Sequence, residues 1–184
     1  FTTGDDLNLL LKGGFEDVTG ATSVATGTTD TALTSLEDSW VHVVVTIDRD
    51  TSAKIYVNGS LDDTSTSHVS NSGVSASNDG NLILGGSASV SGGAIIAVSQ
   101  AITATGVSEL AFWDVALDAD AVTALYNSGS PINALENSGN YDNSGDLTGY
   151  WRLDEGTGTT VEDLSGSNNG AISNATWASD SPWS

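Results

Sequence analysis

Trp40-Val-His-Val-Val-Val-Thr-Ile47, followed by Asp48-Arg-Asp-Thr-Ser52, Ala53-Lys-Ile-Tyr-Val57 and Asn58-Gly59, carries the strongest folding signal in the chain. Its first and third pieces are β-branched and aromatic runs of strand length, bounded by Asp, Ser, Asn and Gly, which is the pattern of strands and turns. Asn58-Gly59 is the favoured two-residue hairpin turn, because both central residues need positive φ. The stretch predicts a strand over 40–47, a turn over 48–52, a returning strand over 53–57 and a second tight turn. His42 alternates with Val41, Val43 and Val45, so it is expected on solvent or on the sheet's other surface.

On either side, Leu7–Leu11, Asn81–Gly85, Ala94–Val98 and Val107–Trp113 are further strand-length runs. Residues 118–127 differ. Ala121, Val122 and Leu125 recur at helical spacing, Asp118 suits the N-cap, Asp120 suits the first turn, and Asn127-Ser-Gly129 ends the segment. A short helix on the sandwich edge is predicted there. A polar connector over 128–146 leads to a strand over 147–153. Weaker strand signals follow at 159–162, 170–173 and 175–177. The stretches 60–79 and 87–93 are almost wholly Ser, Gly, Asn, Asp and Thr, and read as solvated loops or as rim loops at a binding face. The fold class predicted is all-β: a single antiparallel two-sheet jelly-roll sandwich over 1–184, with one short helix.

Composition narrows the partners. The 184 residues carry 24 Asp+Glu against 4 Lys+Arg, a formal charge of −20. A nucleic-acid backbone or an anionic membrane would repel such a chain, and neither is expected as a partner. With no cysteine, disulfides, thiolate metal sites and a cysteine nucleophile are excluded. The longest apolar run, Val41–Ile47, is interrupted by His42 and Thr46 and is far short of the ~18–20 residues of a membrane-spanning helix. An acidic surface with few lysines suits saline surroundings or a densely repeated surface protein.

Four segments in a consistent register resemble the laminin-G-like domains of the concanavalin A-like lectin/glucanase superfamily. They are Ser39–Asp48 with Ala53–Gly59, Asn81–Gly86, Glu109–Leu117 with Ala121–Tyr126, and Tyr150–Gly156 through Asp163–Gly170. In many such domains the Tyr-Trp…Asp-x-Ser-Gly segment opens the domain, whereas here it lies at 147–177, after the helix. Structural proteins of marine bacteriophages are similar in ending on such a tail. The family's first strand lacks a counterpart, so further sequence before Phe1 is expected in the native protein.

The superfamily's glucanases place carboxylates at alternate positions of one strand. Glu-x-Asp-x-x-Glu does not occur in this chain, and adjacent pairs such as Glu16-Asp17 and Glu162-Asp163 point to opposite faces of a strand. No Gly-x-Ser-x-Gly elbow is present. No catalytic residue is assigned. For calcium, Asp163, Ser165, Asn168 and Asn169 offer hard oxygen donors between glycines, with Glu109 as an added ligand. The resemblance implies that such rim loops can hold calcium, while the same residues suit, somewhat better, an Asx-turn loop bonded to its own backbone. Trp40, Trp113 and Trp151 sit in apolar strands and read as core. Trp177 and Trp183 are the more exposable pair and the candidates for stacking on sugar rings.

These readings converge on a non-catalytic module of the extracellular or virion surface. The first expectation is a bacteriophage capsid-decoration or tail-fibre protein, a homo-oligomer in contact with other assembly proteins, that stabilises the assembly or binds host surface glycan. The alternative is a calcium-assisted carbohydrate-binding or adhesion module of a secreted bacterial protein. A glycan-active enzyme with its carboxylates before Phe1 is a third.

Overall fold

A computed structural model describes residues 8–16, 22–28, 36, 39–48, 50–65, 82, 84, 87–91, 94–99 and 106–179. Trp183 and His68 lie outside these residues. In chain order the strands are β1 (Asn8–Glu16), β2 (Thr22–Thr28), β3 (Val43–Asp48), β4 (Ser52–Val57), β5 (Ser60–Ser65), β6 (Ser87–Ser91), β7 (Ala94–Ser99) and β8 (Leu110–Trp113). Helix α1 (Ala119–Tyr126) follows, then β9 (Leu147–Trp151), β10 (Thr160–Val161) and β11 (Gly170–Ala171). Every described ladder is antiparallel: β3-β4-β5 is three-stranded, and β1-β2, β6-β7, β8-β9 and β10-β11 are pairs. The class is the expected one, all-β with one short helix.

The 40–59 stretch folds as the expected strands and turns, with its first strand beginning at Val43 rather than Trp40. Asp48 pairs with Ser52 across the first turn, where the Asp48 carboxylate accepts the Asp50 N–H at 3.0 Å and the Thr51 hydroxyl at 2.8 Å. At the second turn Val57 pairs with Ser60, leaving Asn58 (φ 49°) and Gly59 (φ 77°) both left-handed, as a type I′ hairpin requires. Central strand β4 is covered on both faces, with Ala53, Ile55, Tyr56 and Val57 all buried.

Of the two alternatives for His42, the structure takes the second: it lies on the surface opposite Val43 and Val45, the one that α1 covers. Val44 packs on the core and Thr46 is buried, whereas Val43 is 37% exposed. His42 is half-buried and stacks on Tyr126 of α1, with ring centroids 5.7 Å apart. Periodicity could not choose the face, because valines occupy both sides of this strand; the helix that covers one side chooses it.

Helix α1 starts and stops where its caps predict. The Asp118 carboxylate accepts the Ala121 N–H at 2.8 Å, and Asn127 at the C-cap is left-handed. Ala121, Val122 and Leu125 are buried and form the described core together with Tyr56, Leu117, Ala134, Tyr141 and Tyr150. Fully burying a side chain the size of Val or Leu contributes roughly 1.5–3 kcal/mol, so the helix is a principal part of this core.

Other boundaries depart from expectation. The stretch 60–79 opens with strand β5, and 87–93 contains β6; backbone pairing with a neighbour overrides the low strand propensity of Ser and Asp. Strand β2, rich in Thr, Ser and Gly, is not distinguished from loop by its composition. Residues 175–177 form no strand. The connector over 128–146 is not merely polar, since Ala134 and Tyr141 are buried, Tyr141 completely. Burying Tyr141 costs little because its hydroxyl donates to the Ala134 carbonyl at 2.7 Å and accepts Trp113 Nε1–H at 3.0 Å, which leaves no orphaned polar group on the ring.

Candidate functional site

The candidate site is built on β9 and the loop after β10. Along β9 the side chains alternate: Tyr150 points into the core, and Trp151 lies on the opposite, outer face. Leu110 pairs with Trp151, and Phe112 with Gly149, so Phe112 and Trp151 share the outer face. Phe112 is 41% exposed. The two rings meet edge to face at 6.2 Å and 82°. Trp151 lies over Gly149 so closely that a Cβ there would fall 2.5 Å from the indole ring. Gly149 is therefore what lets the indole lie against the strand.

The Asp163 loop holds that indole from the side. Trp151 Nε1 donates to the Asn168 carbonyl at 3.0 Å. The loop itself is organised around one carboxylate. Asp163 Oδ1 accepts the Tyr150 N–H at 3.1 Å, the Ser165 N–H at 3.1 Å and the Ser165 hydroxyl at 2.9 Å. Oδ2 accepts the Asn168 N–H at 3.0 Å and its side-chain amide at 3.2 Å. Asn169 closes the ring by accepting the Asp163 N–H at 3.0 Å, and Leu164 N–H donates to the Tyr150 carbonyl at 2.8 Å. A Cβ on Gly166 would crowd Asp163 Oδ2 at 3.1 Å, which explains a glycine there.

Asp163 is only 4% exposed. Burial pushes its pKa up, but the donors from Tyr150, Asn168 and Ser165 outweigh it and hold the carboxyl at about 2. A carboxylate offers roughly four lone-pair sites, and five protein donors already occupy these oxygens. Asp163, Ser165, Asn168 and Asn169 are thus brought together as expected, but in the Asx-type arrangement. The donor set does not fit calcium unless Asp163 releases N–H groups that nothing else would satisfy. Among the described residues no group of three or more His, Cys, Asp or Glu could hold a metal ion.

Glu109 takes no part in the loop's hydrogen bonds. It is half-buried, left-handed at φ 54°, and accepts the Tyr150 hydroxyl. Burial raises its pKa, against the lowering effects of the Tyr150 bond and of Arg152. The Tyr150 hydroxyl is pushed upward too, first by burial and then by Glu109. Arg152 pairs with Asp154 at 3.1 Å on the surface.

The tryptophans sort differently from what their sequence neighbours suggest. Trp113 does pack on the core, but Trp40 is 39% exposed, and Trp151 is half-buried on the outer face. Trp177 is half-buried and tied by Nε1 to the Gly158 carbonyl at 3.0 Å, with no hydrogen bond to the Asp163 loop. The outward aromatic pair is therefore Phe112 with Trp151. Its signal in the sequence is the order Gly149-Tyr150-Trp151, in which a period of two sends Tyr and Trp to opposite faces and a glycine lies beside the outward ring.

No curated protein and no solved structure matches the chain. A laminin-G-type family model, described as concanavalin A-like lectin/glucanases superfamily, matches residues 3–123. That span runs from before β1 into α1 and includes the 40–59 hairpin. The all-β antiparallel architecture agrees with it, and the chain belongs to the concanavalin A-like lectin/glucanases superfamily.

Proposed function

We propose that the chain is a non-catalytic carbohydrate-binding or adhesion module that acts on an extracellular or virion surface. The observation that carries this reading is the outward Phe112–Trp151 pair, fixed beside the amide-rich Asn168-Asn169 edge of the Asp163 loop. Flat aromatic surface accepts the apolar face of a sugar ring, and neighbouring amides supply directional hydrogen bonds. The two most notable carboxyl groups are already committed: Asp163 to holding the loop, Glu109 to the Tyr150 hydroxyl. That supports binding rather than hydrolysis.

Polysaccharide binding by the full chain tests the proposal, using unmodified protein beside Phe112→Ala and Trp151→Phe. Saturable binding that Phe112→Ala weakens about tenfold is expected, since losing one good aromatic contact costs on the order of 1 kcal/mol or more. Binding unchanged by either substitution, or no binding at all, overturns it.

A second reading, a decoration or fibre protein of a bacteriophage, is favoured by the charge of −20 and by the tail Gly149-Tyr-Trp-Arg-Leu153 followed by Asp163-Leu-Ser-Gly166. Such a protein would assemble with copies of itself and with other virion proteins. A strictly monomeric chain at high concentration would count against it.

A further inference from the structure

The junction between β3, the β4–β5 turn and the end of α1 contains a polar atom with nothing to bond. His42 Nδ1 is buried without a hydrogen-bond partner, although the His42 backbone is fully engaged: its N–H donates to Asn58 Oδ1 at 3.0 Å, and its carbonyl accepts the Asn58 N–H at 2.8 Å. On its other side the ring stacks on Tyr126 at 27°. Tyr126 in turn lies over Gly59, where a Cβ would stand 2.8 Å from the tyrosine ring. The Thr123 hydroxyl shares its one proton between the Ala119 carbonyl of its own helix at 2.8 Å and the Gly59 carbonyl at 3.0 Å. Helix α1 is therefore fastened to the hairpin turn through His42, Tyr126 and Thr123.

Among the described residues, the surroundings hold no charge that would welcome an imidazolium. From the turn, Asn58 bonds the His42 backbone on both its N–H and its carbonyl; from α1 the group facing the ring is the Tyr126 phenol. The acidic residues of α1, Asp118 and Asp120, stand at the opposite end of the helix. On β5, Asp62 and Asp63 lie beyond the turn, Asp63 opposite Ile55. Burial alone lowers the His42 pKa.

We propose that His42 is an acid-sensitive latch: protonating its ring places an unpaired N–H and a charge in this junction and releases helix α1 from the β4–β5 turn. The sign follows from linkage. The folded state binds the proton less well than the unfolded chain, so stability is constant above the ordinary histidine value of ~6.5 and falls as pH drops below it. Glu109, whose pKa is raised, acts in the opposite sense, and it cancels when variants at His42 are compared with the unmodified chain.

The test is thermal unfolding of the full chain at about pH 7.5 and about pH 5, at fixed ionic strength. Unmodified protein, His42→Phe and His68→Gln are compared. The phenylalanine ring keeps the stack on Tyr126 and removes the titrating nitrogen. Between the two pH values the unmodified chain and His68→Gln should each lose roughly 2–4 °C more than His42→Phe. An equal loss in His42→Phe overturns the latch. Should that variant fail to fold, the His42 ring is titrated by NMR in the unmodified chain. Half-protonation below the ordinary value, with amide protection at 121–125 lost in step, supports the proposal. Half-protonation at or above that value, or helix protection that does not change, overturns it.

Discussion

Two turns made of the same polar residue types, Asn58-Gly59 and Asp163–Asn169, hold their surroundings in different ways. The first is set by backbone conformation: two left-handed residues, one of them glycine, reverse the chain, and its side-chain bond, Asn58 Oδ1 accepting the His42 N–H, ties the turn outward rather than forming it. The second depends on one buried carboxylate that accepts five donors from Tyr150, Ser165 and Asn168. A turn fixed by φ is local and readable. A turn fixed by a hub fails if the hub is lost, and it transmits that failure to whatever the donors belong to, in this case β9 and the aromatic face.

The largest effect should come from removing the hub. Asp163→Ala leaves the buried Tyr150 N–H and the loop amides without an acceptor, and should cost about 3–5 kcal/mol. The fall in melting temperature would then be on the order of 10 °C. A variant as stable as the original would show that the loop, like the hairpin, is held by its backbone.

Next comes the acid limb of the same hub. With its pKa held at about 2 against an ordinary ~4, Asp163 contributes its stabilisation fully above that ordinary value. It loses about 2–3 kcal/mol as pH falls from ~4 to ~2. Asp163→Asn should lack this limb in denaturant titrations, and identical limbs in both proteins would remove the hub from the explanation.

Gly59→Ala probes the other turn. It forces a Cβ onto Tyr126 at a φ of +77° and should cost about 1–3 kcal/mol; an unaffected midpoint would mean that Tyr126 moves aside freely. The smallest expected effect is that of calcium. Because the Asp163 oxygens are filled, adding calcium or a chelator should shift the melting temperature by less than about 1 °C, and a clear rise with calcium would show the loop opening to ligate it.

Much of this architecture is legible in the residues themselves. The hairpin 40–59, the capped helix and the grouping of Asp163 with Ser165, Asn168 and Asn169 all rest on rules acting within a few residues: strand propensity, positive φ at Asn-Gly, an Asp at the N-cap, Asx turns. The burial of Tyr141 is not legible, because its partners Ala134 and Trp113 lie 7 and 28 residues away and its neighbours in sequence are polar. Nor is the exposure of Trp40, since its apolar surroundings in sequence look the same whether it opens the strand or, as here, precedes it.

The class of fold, the positions of the tight turns and the ends of the helix are all written into the chain, because each follows from the conformational preferences of neighbouring residues. Three-dimensional packing had to settle the rest: which face of β3 meets α1, that Trp151 turns outward over Gly149 while Tyr150 turns inward, and that the Asp163 oxygens are filled by protein donors. Those outcomes depend on which surface another element covers and which distant N–H groups find an acceptor, and burial and hydrogen-bond satisfaction are properties of the assembled chain.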